Sequence, residues 1–305
     1  MDDAGLKGGA TRRLVMKLSL AVGLICVLRL GAAAIPSATA DQDEQSLLQA
    51  DRTAFGSGTS SVTLNDGMLD LNFTWTSSNG NTLNKSEILQ SLSSRKGFPR
   101  EFSSEEGAAS REPKATTVHA YGQLGVVQEK SGKLYVLRIW DKRGASWQLL
   151  IYQAVATGAP ASAQPVQGAC ENPCNTVPFQ PQNEDQRDVI HAYQAVERAV
   201  AAHDSVAWGA RITDEFFAVT SNSDRPIDKA MRMAGLDNRK VAGIAPFPLV
   251  AASMFEFEDA MVMTSAQQPE RGLALRVTRV WFKRSGAWLE AYSYQTTIQA
   301  AISIR

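Results

Sequence analysis

The sequence predicts an α+β protein built from two tandem domains. Three observations predict it: an internal repeat, helix patterns placed ahead of strand patterns in each copy, and a proline-rich stretch between the copies. Asp70, Phe73, Thr76, Ser77, Leu83, Lys85 and Leu92 align without a gap on Asp214, Phe217, Thr220, Ser221, Ile227, Lys229 and Leu236, about 144 residues downstream. The match returns at a spacing of about 141, where Arg138-Ile139-Trp140-Asp141-Lys142-Arg143 and Trp147 fall on Arg279-Val280-Trp281-Phe282-Lys283-Arg284 and Trp288. A solenoid unit runs about 20 to 50 residues, so a period this long implies one complete domain per copy. The 305 residues leave room for two cores.

Residues 1–40 stand apart from both copies. They combine a basic start, an apolar run over 18–30, and a small-residue exit at Ala38-Thr39-Ala40 ahead of Asp41-Gln42-Asp43-Glu44. That is the pattern of an export signal, with cleavage expected after Ala40 and a periplasmic or secreted destination. The apolar run is shorter than the roughly 18 residues a span needs and contains Arg29, so no permanent membrane anchor is expected. Thr11-Arg12-Arg13-Leu14-Val15-Met16-Lys17 resembles the twin-arginine motif, with Val15 and Met16 where Phe and Leu are usual. A start at Met16 would leave an ordinary secretory signal, so both routes stay open.

Charge and cysteines narrow the function classes. Of 31 basic and 31 acidic residues, Lys7, Arg12, Arg13, Lys17, Arg29, Asp2 and Asp3 belong to the leader, which leaves 26 against 29. A mildly acidic protein lacks the basic field that phosphate binding demands, so nucleic acid is not an expected partner. Cys170 and Cys174 are the cysteines beyond the leader, in Cys-Glu-Asn-Pro-Cys, and a local disulfide is expected in an oxidising compartment. Two thiols with no histidine nearby make a poor zinc site, and no metal or cofactor is expected.

Each copy opens with a helix. In the first it is expected over 44–55, with Leu48-Gln49-Ala50 over Tyr193-Gln194-Ala195 of the second and Gly56, Ser57 and Gly58 ending it. In the second, Asn183 or Asp185 can cap a segment whose Val189, Tyr193, Val196 and Val200 form one apolar stripe. A strand follows near 69–76 and 215–220, then a polar turn and a short helix at 85–92 and 227–236. The remaining strands are expected over 116–128, 133–142 and 146–155, and over 253–264, 273–283 and 287–298. Turns at Lys142-Arg143-Gly144 and Arg284-Ser285-Gly286 join the last two of each set. Residues 156–182, with prolines at 160, 165, 173, 178 and 181, read as a linker between domains at 41–155 and 183–305.

The opening helix, an Asp-x-x-Phe strand start, a short helix, and a closing hairpin of the form Arg-x-Trp-x-Lys-Arg followed by Gly, Trp and Tyr-Gln together resemble the nuclear transport factor 2-like superfamily, more narrowly its SnoaL-like branch. The likeness covers nearly all of both copies and is best over 138–153. There it ends at Tyr152-Gln153, while Tyr294-Gln295 arrives one residue late relative to Trp288. The resemblance implies a cone-shaped roll, a curved antiparallel sheet wrapped around N-terminal helices, with an apolar pocket. Members include ketosteroid isomerase-like enzymes, dehydratases, cyclases and non-catalytic association domains, so the fold licenses no activity.

Alternation assigns faces within that frame. Around Arg279 one face carries Leu275, Val277, Arg279, Trp281 and Lys283, and the first copy repeats it with Leu134, Val136, Arg138, Trp140 and Lys142. Charges cluster there, so this face is expected to lie away from the pocket, with Glu256 or Glu258 pairing with Arg279 or Lys283. Phe255, Phe257, Thr278, Val280 and Phe282 are then expected to line a pocket for a small apolar ligand in the second domain. Trp140 and Trp281 would be interdomain contacts of an intramolecular pseudo-dimer, unless each lies under its own Arg and Lys stems.

The candidate chemistry sits in the last strand, where Glu290, Tyr292 and Tyr294 share one face by alternation. A carboxylate raised toward neutrality beside a tyrosine hydroxyl is the combination a proton-shuttling isomerase uses. The one-residue offset after Trp288 suggests a bulge and leaves the direction of Glu290 open; a polar outer face is the competing reading. His119, His191 and His203 have neither metal nor dyad spacing, and no Gly-x-Ser-x-Gly elbow occurs. The methionines of the second copy, Met231, Met233, Met254, Met261 and Met263, suit either a pocket for varied apolar ligands or simple core filling. The expected function is that of a non-catalytic ligand-binding or protein-interaction module, with an isomerase or dehydratase as second reading.

Overall fold

The structure, a computed structural model, describes residues 37–56, 62–94, 114–159, 170–238 and 246–299. All of these belong to one compact unit. The basic and apolar parts of the leader, the twin-arginine-like motif and Cys26 lie outside the described residues.

Domain 1 runs through α1 (Ser37–Phe55), a single 3-10 turn (Asp66–Met68), β1 (Leu69–Thr76), β2 (Thr82–Asn84), α2 (Lys85–Ser94), β3 (Ala115–Tyr121), β4 (Leu124–Ser131), β5 (Leu134–Arg143) and β6 (Ser146–Ala156). Domain 2 repeats the order with α3 (Glu184–Ala202), α4 (Ser205–Gly209), β7 (Ile212–Thr220), β8 (Ile227–Asp228), α5 (Lys229–Asp237), β9 (Leu249–Phe257), β10 (Ala260–Gln267), β11 (Leu275–Arg284) and β12 (Ala287–Thr297). The sheets have the same topology, β2-β1-β6-β5-β4-β3 and β8-β7-β12-β11-β10-β9. Pairing is antiparallel except where β1 meets β6 and β7 meets β12. The expected α+β architecture of two tandem domains is the one found.

Several local expectations change. The strands expected over 116–128 and 253–264 are each two strands of a hairpin, turning at Gly122 and at Glu258, which have positive φ of 60° and 21°. At the first turn Val118, Ala120, Gly122, Leu124 and Val126 continue the alternation and hide the reversal, whereas at the second Glu258-Asp259 interrupts it. Helix α1 begins at Ser37 and runs through the small-residue exit, where a start at residue 44 was expected. Helix α3 starts as its cap predicts, with Asn183 Oδ1 accepting from Gln186 N at 2.9 Å, and its stripe Val189, Tyr193, Val196 and Val200 is buried.

The ladders correct the alignment of the copies. Trp140 pairs with Leu149 and Ile139 with Ile151, so Leu150 is an unpaired extra residue. In domain 2 Trp281 pairs with Glu290 and Val280 with Tyr292, so Ala291 plays the same part. Both copies carry the bulge, and there is no one-residue offset: Glu290 corresponds to Leu149, Ser293 to Tyr152 and Tyr294 to Gln153. Likewise Thr74 faces Ile151 as Phe217 faces Tyr292, which places Phe73 on Phe216 and not on Phe217.

Three apolar clusters result. One fills domain 1 between its helices and sheet and includes Leu47, Phe55, Phe73, Trp75, Trp140 and Tyr152. A second fills domain 2 with Val189, Tyr193, Trp208, Met261, Met263 and Trp281. The third lies between the two sheets, where Leu124, Leu137 and Ile139 of domain 1 meet Phe257, Val262, Val280 and Phe282 of domain 2. The expected faces are therefore inverted. Trp140 and Trp281, 1 % and 0 % exposed, are inside their own domains and not between them. The charged face turns inward because its arginines find buried acids.

Polar contacts stitch the middle layer. Gln153 Nε2 donates to Arg276 O and Tyr294 O at 3.0 Å and to Thr296 Oγ1 at 2.9 Å. Gln128 Nε2 donates to Tyr294 Oη at 3.0 Å, and the Tyr121 and Tyr292 hydroxyls lie 3.2 Å apart. Ahead of domain 2, Cys170 and Cys174 form a disulfide with Cα atoms 5.5 Å apart. Within that loop the Asn172 carboxamide bonds both N and O of Leu249 at 2.9 Å, covering part of the exposed edge of β9 as another strand would.

Candidate functional site: two buried arginine centres

Each domain encloses one arginine of its Arg-x-Trp strand. In domain 1 Arg138 is 2 % exposed and meets Asp51 through two bonds, Nε to Oδ1 at 2.7 Å and Nη2 to Oδ2 at 3.0 Å. Nη2 also donates to Glu129 at 3.1 Å, and Lys114 lies 2.9 Å from the other oxygen of that carboxylate. The Trp140 indole donates to Asp51 at 3.3 Å, and the Phe55 ring covers the guanidinium at 4.7 Å. Burial raises the Asp51 pKa, with Arg138 pulling against it. Burial also works on Glu129, but Arg138 and Lys114 together hold that carboxyl below its ordinary value. This centre is closed on itself.

The domain 2 centre is looser. Arg279, 5 % exposed, reaches Glu197 of α3 through Nη2 and Glu290 of β12 through Nε, both at 3.3 Å, with the Tyr193 ring 4.8 Å from the guanidinium. Gln267 Nε2 donates to the Tyr193 hydroxyl at 3.4 Å. Burial pushes the Glu290 pKa up to about 7, opposed by Arg279 and reinforced by Glu197. Glu197 is raised for the same first reason, while burial lowers Arg232, the second cation near the pair. Arg279 Nη1, Trp281 Nε1 and Ser265 Oγ are buried without a hydrogen-bond partner among the described residues. Ser265 pairs with Val277 across the ladder, so all three stand on the interior face of β10 and β11. Buried donors left unpaired are costly, and these three share one face of the sheet.

The last-strand candidates are not brought together. The Ala291 bulge puts Glu290 inside domain 2, whereas Tyr292 and Tyr294 face domain 1 and bond to Tyr121 and Gln128. An odd number of residues between two positions of a bulged strand no longer means one face, and this separates the acid from both tyrosines. Phe257, Val280 and Phe282 lie in the layer between the sheets with Phe255 packed against it, and Thr278 is buried on the same face. These five residues line the domain contact and no interior pocket of domain 2. Arg279 does not meet Glu256 or Glu258; Lys283 meets Asp185 at 2.6 Å, and Glu256 accepts from Asn183 Nδ2.

Sequence reasoning passed over Asp51, Glu129 and Glu197, placed Tyr193 only on an apolar stripe, and gave Arg279 the wrong acids. A usable signal was present in the helices, since Glu197 stands four residues after Tyr193 and Asp51 four before Phe55. An acid on a buried stripe needs a cation inside the same core.

Among the described residues no helix is long and apolar enough to cross a membrane, and no group of three metal-binding side chains occurs. No protein-family model matches the chain, and no curated protein matches it. Solved structures do. A nuclear transport factor 2-like protein from Cytophaga hutchinsonii is 18 % identical, covers 38 % of this chain and 100 % of its own, and has a TM-score of 0.31. A protein of unknown function with a cystatin-like fold from Nostoc punctiforme is 12 % identical over 39 % of this chain and 95 % of its own, with a TM-score of 0.33. The CamKII hub homology domain of Chlamydamonas reinhardtii is 12 % identical over 38 % and 100 %, with a TM-score of 0.31. The chain carries two α+β domains of the same strand order in tandem, and each of these solved structures is similar to about one of them in length.

Proposed function

We propose that the protein is an exported, non-catalytic binding module in which domain 1 is the structural half and domain 2 accepts a small ligand in its cone. The observation that carries this reading is the inequality of the two arginine centres. Arg138 has a two-pronged acid, a second acid and a ring around it, whereas Arg279 keeps Nη1 unpartnered beside two further unpaired donors. A mainly apolar molecule carrying one carbonyl or carboxylate would satisfy those donors while its body packs on Trp281, Met261 and Met263. Export is supported by the leader pattern and by the disulfide.

The test is ligand capture by the purified protein. Native mass spectrometry should find a bound small molecule, or titration with hydrophobic ketones and short-chain fatty acids should quench tryptophan fluorescence in the native protein and not in Arg279→Met. Neither a bound molecule nor a quench would end this reading. A second reading, as an isomerase or dehydratase, is favoured by the burial that pushes the Glu290 pKa up to about 7. Deuterium exchange at a ketone α-carbon, present in the native protein and lost in Glu290→Gln, would decide for it.

A further inference from the structure

A cleft of about 150 Å³ opens between the two sheets, on the side of each sheet away from its own arginine centre. Thr74, Thr76 and Gln153 line it from domain 1, and Thr264, Arg276 and Thr278 from domain 2. Strand alternation assembles the hydroxyls. Thr74 and Thr76 are two apart on β1 and share a face, while Thr264 and Thr278 are cross-strand partners. Gln153 is held in place, since its amide nitrogen bonds three acceptors of domain 2.

Arg276 is the unusual wall residue. Its Nε is buried without a hydrogen-bond partner, and no carboxylate pairs with it among the described residues. The ladder position of Arg276, opposite Thr296, is filled in domain 1 by Tyr135 opposite Val155, so the cation belongs to one wall only. The outer nitrogens of a guanidinium take a carboxylate through N–H···O bonds, and rows of hydroxyls suit a polyhydroxylated body.

We propose that this cleft binds a small hydroxylated carboxylate, a sugar acid or hydroxy acid, with its carboxylate on Arg276 and its hydroxyls on the threonine walls. The site is separate from the cone of domain 2, because Arg276 and Arg279 lie on opposite faces of β11.

Isothermal titration of the whole chain with glucuronate, glucose and acetate tests it. Glucuronate should bind, and glucose and acetate, each offering half of the partners, should bind about tenfold or more weakly. Arg276→Gln should weaken glucuronate by about tenfold or more and Thr278→Val by severalfold, with circular dichroism unchanged. Arg279→Met should leave the glucuronate affinity as it was, even if the ligand of the cone is lost. The proposal is overturned by a native protein that does not bind glucuronate, by a folded Arg276→Gln that binds it equally well, or by glucose binding as tightly. Loss of glucuronate in Arg279→Met with retention in Arg276→Gln would also overturn it, by moving the site into the cone.

Discussion

Asp51 and Glu197 hold the buried arginines of the two domains from helix positions one turn apart. The ion pairs Asp43–Lys142 and Asp185–Lys283, both 2.6 Å, set the helices in register, and on that register Asp51 corresponds to Tyr193 and Phe55 to Glu197. Domain 1 therefore has acid then ring, and domain 2 ring then acid, four residues apart in each. Positions i and i+4 share a helix face, so either order gives the arginine one carboxylate and one aromatic cover. The second acid also changes place: Glu129 comes from β4, Glu290 from β12. What the two copies share is a charge balance inside the cone, reached through different positions.

Removing one partner of the closed centre should be severe. Asp51→Ala leaves Arg138 buried with only Glu129 and is expected to cost about 3–5 kcal/mol, read from urea unfolding. The double replacement Asp51→Leu with Arg138→Met, which removes both charges, should recover most of that loss. Equal instability of the single and double variants would contradict the buried pair.

The domain 2 centre predicts a pH dependence with a definite sign. Glu290 has a folded pKa of about 7 against an ordinary value of 4.5, so between those values the folded protein binds more protons than the unfolded chain. The contribution is complete below the unfolded value, and stability should fall as pH rises from about 4.5 to about 7, by up to roughly 3 kcal/mol from this group. Glu197 is raised and adds in the same direction; Arg279 and Arg232 face both acids and set how far the effect goes. Urea midpoints at pH 5 and pH 7.5 measure it. Glu290→Gln should flatten the profile, and a slope unchanged in that variant would assign the effect to other groups.

Phe282 should couple the domains. It packs in the layer between the sheets with its ring 4.3 Å from that of Tyr121 and 6.3 Å from that of Tyr292. Phe282→Ala is expected to cost about 3–5 kcal/mol through lost burial and the cavity left behind. Native unfolding followed by tryptophan fluorescence should be a single transition, because both interiors lean on this layer. Two separated transitions in the native protein would mean that the layer couples the domains weakly.

The disulfide loop should act locally. Its closed loop is short, so Cys170→Ser with Cys174→Ser should lower stability by about 2 kcal/mol or less. Asn172→Ala removes both bonds to Leu249 and should cost about 1–3 kcal/mol. Hydrogen exchange should then quicken at Leu249 and leave the interior of β11 protected. Uniform loss of protection would show that the loop supports the whole domain.

Much of the architecture was legible in the chain because it rests on local signals. The Val189, Tyr193, Val196 and Val200 stripe, the Asn183 cap, and the alternation through β5 and β11 depend on residues a few positions apart. Boundaries failed at two-residue reversals: at Gly122 the apolar alternation runs on through the turn, and at Glu258-Asp259 the break is only two residues long between strands of like pattern.

The side of each strand that looks inward was settled by distant partners. Arg138 meets Asp51 across 87 positions and Arg279 meets Glu197 across 82, so a face that reads as solvated by its charges becomes an interior once those acids arrive. A bulged residue, Ala291, then decided that Glu290 and Tyr292 would never share a site. Periodicity can report that two faces differ. It takes the folded neighbours to say which of them is dry, because the cost of burying a charge depends on whether a counter-charge is there to meet it.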